Sequence, residues 1–272
     1  MKSLKWFERR TDETAPEMAV YDPSAPLEER LAGWRETMML PRKREIFDRT
    51  AATIDRDAYA ALQREYRDQL SNADSASHAK YLDIARWLAY HTEFAFMLNI
   101  DMRKPCSVLN LGAISGQLLA ITNAFGHDSI ALDMNEREIH RDILELLGID
   151  SIRSPMRLRQ PLPAELGKFD VIVSTTQFIG FDVATWQPWT LEDWAGFLEY
   201  LCGHHVRYPA EIFIGLRKSI KLEDGQTDYL WPLIDLAEKH GALTVRERAY
   251  ILFRLDAPLR FDEIDHERWP AP

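Results

Sequence analysis

Two glycines, Gly112 and Gly116, close one apolar run and open a helical pattern, and Asp133 ends the next apolar run about twenty residues on. That order permits the binding of a nucleotide-like group. Glycine lets backbone approach a ligand without an intervening Cβ, and a helix N-terminus offers free N–H groups to negative charge. A carboxylate at a strand end can accept hydrogen bonds from both ribose hydroxyls. The dinucleotide fingerprint G-x-G-x-x-G does not fit, because its second and third glycines would be Ile114 and Gln117. An isoleucine opposes the close backbone contact that a pyrophosphate needs, which argues against a nicotinamide cofactor. There is no Ser–His–Asp elbow, no G-x-x-x-x-G-K-[ST] phosphate loop and no cysteine cluster suited to a metal.

The elements that must position these residues can be read from periodicity. Residues 1–25 hold prolines among charged and small residues and read as an extended arm. Leu27, Leu31, Trp34 and Met38 recur at helical spacing until Pro41 interrupts them. Tyr59, Leu62, Tyr66 and Leu70 mark a second helix, and Tyr81, Ile84 and Leu88 a third that ends near Leu98. The rhythm then changes. Short apolar runs at Ser107–Leu111, Ser129–Leu132, Ile149–Arg153, Asp170–Ser174 and Glu211–Leu216 read as strands. Between them lie helical patterns, Gln117–Phe125, Glu136–Leu147 and Leu191–Leu201, closed by Gly126, Gly148 and Gly203. A last helix, Asp228–His240, precedes Leu243–Glu247 and Ala249–Leu255, which suit a terminal antiparallel pair or one long strand. Such alternation implies parallel crossovers and a sheet covered on both faces.

The chain of 272 residues carries 43 acidic and 33 basic side chains, a net charge of −10. This surface argues against binding nucleic acid or an anionic membrane. The N-terminus lacks the apolar core of a signal peptide, and no run is long enough to span a bilayer. Two cysteines, Cys106 and Cys202, make no disulfide framework. The expected setting is cytoplasmic.

The turn resembles the S-adenosylmethionine turn of class I methyltransferases, hydrophobic–Leu–Asp–Leu–Gly–x–Gly–x–Gly. The acidic strand end that follows matches too, and Lys168–Ser174 looks like that family's fourth strand. Lys80–Asp83 with Trp87, Gly126–Asp128 and Pro161–Pro163 resemble a bacterial subgroup acting on small molecules. The likeness covers about residues 78–255 and implies a doubly wound, mostly parallel seven-stranded α/β sheet with an N-terminal helical extension. It implies an arm and helical cap at residues 1–100 and an S-adenosylmethionine-binding Rossmann-like domain at 101–272. The helices ahead of the first strand could close over the site or join two copies as a homodimer. Two departures stand out. The acidic residue of the family's first strand is Asn110 here, and its middle glycine is Ile114. Asparagine can hydrogen bond but offers no charge to the cofactor's ammonium group, and Ile114 narrows the turn.

By the same resemblance, and by the rule that ligands sit beyond the C-terminal ends of parallel strands, the cofactor residues are Tyr81, Asn110, Gly112, Ala113, Gly116, Asp133, Met134 and Ser174. Asp133 would hold the ribose, although Asp133–Glu136 also reads as a helix cap. Met134 would lie against the adenine and Tyr81 would act as a lid. Thr176 and Gln177 could orient a nucleophile, while loop turn chemistry explains them as well. Phe178, Trp186 and Trp189 could line an apolar pocket for a small-molecule acceptor, or cover the core beneath their loop. Trp194 shares a helical face with Phe197, Leu198 and Leu201 and reads as core. His204 and His205 read as exposed, or as charge at a helix C-terminus. The expected reaction is methyl transfer to oxygen, nitrogen or carbon. The alternative is a degenerate, non-catalytic relative serving as a binding or partner subunit.

Overall fold

A computed structural model of the chain describes residues 25–66, 80–133, 137–175, 180, 188–216, 230–264 and 269–270. The expected arm at 1–25 falls almost wholly outside them. Two compact units are present. The first gathers Met1–Pro105, Ile114–Ser129 and Asn135–Ser151, and the second Cys106–Ala113, Ile130–Met134 and Ile152–Pro272. The units interleave along the chain and do not divide at residue 100.

The first unit is helical. Its helices are α1 (Leu27–Thr37), α2 (Pro41–Ala52), α3 (Arg56–Glu65), α4 (Ile84–Met97), α5 (Gln117–Ala124) and α6 (Glu138–Leu146). Helix α2 is not expected from the sequence pattern, in which Pro41 stands as a break. Pro41 occupies the first helical position, where no intrahelical N–H is needed and a fixed φ helps. Ile46, Phe47, Thr50 and Ala51 then bury one face of α2. Helix α4 buries residues on most sides, as a central helix must, and α1, α2 and α5 pack against it. Tyr59 ties several of the unit's buried polar groups together. The buried Tyr59 hydroxyl donates to the Leu82 carbonyl at 2.7 Å and accepts from Arg30 and Gln63. Arg30 also reaches Asp83, which caps the N-terminus of α4.

The second unit carries the sheet, apart from the first residues of β2 and β3. The strands are β1 (Ser107–Leu111), β2 (Asp128–Asp133), β3 (Ser151–Arg153), β4 (Phe169–Ser174), β5 (Val206–Gly215), β6 (Leu243–Val245) and β7 (Tyr250–Leu255). Their order is β3-β2-β1-β4-β5-β7-β6. Strands β1, β4 and β5 run parallel, whereas β7 is antiparallel to both β5 and β6. The terminal antiparallel pair therefore forms, its tight link made by one 3₁₀ turn and a left-handed Ala249. Strand β5 begins earlier than expected. The other two helices of the described residues, α7 (Leu191–His204) and α8 (Leu230–Lys239), contribute to the second unit's core.

Two expectations at the end of α7 need correction. Gly203 lies inside the helix rather than beyond it. His205 is 1% exposed, not at the surface. Its Nδ1 lies 3.0 Å from the Gly167 carbonyl and its Nε2 3.0 Å from the Tyr200 hydroxyl. The carbonyl can only accept, so Nδ1 carries the proton and Nε2 accepts from Tyr200. That arrangement requires neutral imidazole. Burial pushes His205 below the ordinary histidine range, as it does His127, and desolvation pushes the half-buried His91 down to about 4.

In each case the unfolded chain binds the proton more readily than the folded one. Stability from these groups is full above their unfolded value, roughly pH 6.5, and is lost as pH falls towards the folded values. Urea denaturation should give a lower midpoint at pH 5 than at pH 7.5, and His205→Gln should reduce that difference. Equal midpoints at the two pH values would contradict the burial of these histidines in neutral form.

Candidate functional site

The register of the parallel strands fixes where the expected binding residues end up. Asn110 of β1 lies opposite Val173 of β4, so the two strands end together. Because side chains alternate, Asn110 and Ser174 serve opposite faces of the sheet at its C-terminal edge. Each is 1% exposed. Asn110 Oδ1 and Ser174 Oγ are both buried without a hydrogen-bond partner. Buried polar atoms that no protein group pairs with are costly and rare, so two on neighbouring strand ends mark a candidate binding edge. Asp133 ends β2, is 9% exposed, and accepts from the Ser154 N–H through its main-chain carbonyl at 3.0 Å. The cap reading of Asp133 fails, since α6 starts at Glu138 and its cap position is Arg137.

The turn after β1 is built from left-handed backbone. Gly112 has φ 70°, Ile114 φ 55° and Gly116 φ 74°. The Gly112 N–H extends the sheet by donating to the Leu132 carbonyl at 2.7 Å, so it is not available to a ligand. Gly116 is favoured by its left-handed backbone and by close packing. A Cβ there would stand 2.5 Å from Leu144 Cδ2. Ile114 is the unexpected member, since a β-branched side chain in this conformation costs roughly 1–2 kcal/mol. Strain of this kind concentrates at functional turns.

Asn110, Gly112, Ala113, Asp133 and Ser174 belong to the second unit, and Tyr81 and Gly116 to the first. Within the first unit Tyr81 packs on Trp87, with ring centroids 4.8 Å apart, and meets His140 edge-on. Its carbonyl accepts from Gln117, whose side-chain oxygen accepts from Ser115 at 2.6 Å. Trp189 is 3% exposed and sits among Trp194, Phe197 and Trp269, inside the core that Trp194 was expected to join. Met134, Thr176, Gln177, Phe178 and Trp186 lie outside the described residues. No group of side chains suited to a metal occurs among the described residues, and no helix of theirs is long and apolar enough to cross a membrane.

Seven strands in the order 3-2-1-4-5-7-6, with the seventh antiparallel, define the class I methyltransferase fold. No family model and no curated protein matches the sequence. Among solved structures the chain is similar to DesVI of Streptomyces venezuelae, with 16% identity and a TM-score of 0.40. That match covers 54% of this chain and 58% of DesVI, so it spans little more than half of that protein. It is also similar to the 1,6-didemethyltoxoflavin-N1-methyltransferase of Burkholderia thailandensis, solved with 1,6-didemethyltoxoflavin and S-adenosylhomocysteine bound. There the identity is 14% and the TM-score 0.40, over 70% of this chain and 89% of that one. A third is the fibrillarin pre-rRNA processing protein of Methanococcus jannaschii, 16% identical, with a TM-score of 0.40 over 58% and 69% of the two chains. The fold assignment rests on strand order and not on these partial overlaps.

The turn yields a contrast. Gly116→Ala should cost about 2 kcal/mol or more, since it adds both a clash and a left-handed Cβ. Ile114→Gly should stay within about 1 kcal/mol of the parent, because relief of strain offsets lost burial and greater unfolded-state entropy. Thermal denaturation reads both, and a large loss at Ile114→Gly would show that its side chain, not its backbone, matters.

Proposed function

We propose that the chain is an S-adenosylmethionine-dependent methyltransferase acting on a small-molecule acceptor. The observation that carries this reading is the pair of unmatched buried atoms, Asn110 Oδ1 and Ser174 Oγ, at the ends of β1 and β4. The residues fit the cofactor's chemistry. Asn110 Oδ1 is an acceptor for an ammonium group, Asp133 is an acceptor for paired ribose hydroxyls, and Ser174 Oγ can serve as donor or acceptor. When bound, S-adenosylmethionine supplies a methyl group on a positively charged sulfur. The chain's own part is to hold an acceptor atom in line with that methyl and to exclude water, which can supply much of the rate. A general base is needed only for an acceptor that enters protonated. Thr176 and Gln177 are the proposed residues for orienting the nucleophile. Met134 is proposed for the adenine, and Phe178 and Trp186 for the acceptor, Trp189 being part of the core instead. The net charge of −10 supports a small molecule over a nucleic acid, and the proposed setting is cytoplasmic.

A second reading, a non-catalytic member of the fold, draws on two observations. Asn110 brings no charge to an ammonium group, and Ile114 carries its side chain into a strained turn.

Calorimetric titration separates the two. The methyltransferase reading expects micromolar binding of S-adenosylmethionine and S-adenosylhomocysteine. Asp133→Ala should weaken it about tenfold to a hundredfold, the weight of hydrogen bonds to a charged group. Asn110→Asp should strengthen binding of both compounds by restoring the missing charge beside the ammonium group they share. No binding of either compound at about millimolar concentration would sink the enzyme reading.

A further inference from the structure

The first unit contains a cavity of about 230 Å³ lined by Arg42, Glu45, Arg49, Asp101 and Arg103, with Ile46, Ile100 and Phe125 as its apolar members. Three guanidinium groups against two carboxylates make this wall positive on a chain whose net charge is −10. Each arginine is anchored by a main-chain carbonyl. Arg42 donates to Asp101 at 2.5 Å, Arg49 to Ala124 at 3.1 Å and Arg103 to Leu98 at 3.5 Å. Those bonds close off helix and turn ends, and they also hold the guanidinium planes in place. A guanidinium has five N–H donors, and Arg42 and Arg49 each commit two nitrogens to hydrogen bonds within the protein. Fixed donors around a small cavity form a site already organised for an oxyanion.

The two carboxylates decide which oxyanion. Glu45 pairs with Arg49 at 2.7 Å in an exposed i,i+4 contact, which an incoming anion can displace at little cost. Asp101 is different. It is 8% exposed and stands 3.7 Å from Arg42 in a loose ion pair, while its Oδ1 is buried without any hydrogen-bond partner. An unmatched carboxylate oxygen beside fixed arginines asks for a ligand that is negative overall yet still carries an O–H. Sulfate has no proton to donate at neutral pH. A phosphomonoester, whose second ionisation lies near pH 6, has mostly lost its own. Inorganic phosphate retains at least one, and it is small enough for a cavity below the usual size of drug-like pockets.

We propose that this cavity binds inorganic hydrogen phosphate, with Arg42, Arg49 and Arg103 holding its charge and Asp101 accepting its proton. The site stands apart from the methyltransferase reading and survives its failure. Titration of the full chain with sodium phosphate and sodium sulfate at matched ionic strength tests it. Phosphate should bind about tenfold more tightly than sulfate, the weight of one hydrogen bond to a charged group. Arg49→Gln, whose side chain is 56% exposed and can change without disturbing the core, should weaken both ions. Asp101→Asn should narrow the gap between them, because an amide can donate to sulfate. If Asp101→Asn does not fold, ³¹P line broadening of phosphate by the parent and by Arg42→Gln replaces it, with broadening expected only from the parent. Equal affinity for the two ions, no binding of phosphate at about 10 mM, or broadening that persists in Arg42→Gln would overturn the proposal.

Discussion

The parallel pairing of β1 with β4 is the constraint on which the binding edge depends. Val108, Leu109 and Asn110 lie opposite Val171, Ile172 and Val173. This register brings Asn110 and Ser174 to the same end of the sheet. A shift of one residue would turn every side chain of β1 to the other face. It would place buried Leu109 and Leu111 where Asn110 now sits, and the asparagine among apolar neighbours. Register is thus held by the apolar residues on both sides of the polar one.

The turn that follows shows how function and packing share a short segment. Gly112 continues the sheet with its N–H, and Gly116 makes room for Leu144. Neither glycine is explained by a ligand alone. Ile114 reverses the logic, since packing does not require a left-handed isoleucine. The chain has to pass from the end of β1 to the start of α5 in five residues, with Gly112 and Gly116 fixing both ends in left-handed backbone. Ile114 must follow the path between them, and its strain is the consequence.

Much of this was legible in the sequence, for identifiable reasons. The strand ends at Leu111, Asp133 and Ser174 follow from apolar runs that stop at a glycine or at a polar residue. Helix ends at Gly126 and Gly148 follow from the left-handed conformation, which both glycines adopt. Three features escaped. Pro41 was read as a terminator because proline ends helices as well as beginning them, and only the burial of Ile46 and Phe47 decides which. The start of β5 was hidden because Arg207 and Pro209 break the apolar alternation near its beginning. His205 looked like a surface group because sequence does not show Tyr200 and Gly167 meeting its two nitrogens. All three depend on contacts between distant residues. The burial of Asn110 Oδ1 depends on them too, so the sequence could name the residue but not its surroundings.

Asn110 also bears on what kind of ligand the edge can take. An aspartate at this position would be a buried charge, strongly penalised unless a cation stands beside it. Asparagine carries a smaller penalty, so the edge can exist without ligand at less cost to the fold. The exchange trades affinity for a cationic group against stability of the empty protein. It follows that selectivity between S-adenosylmethionine and S-adenosylhomocysteine, which share the ammonium group but differ in charge at sulfur, cannot come from Asn110. In the proposed site that selectivity has to come from groups near the sulfur.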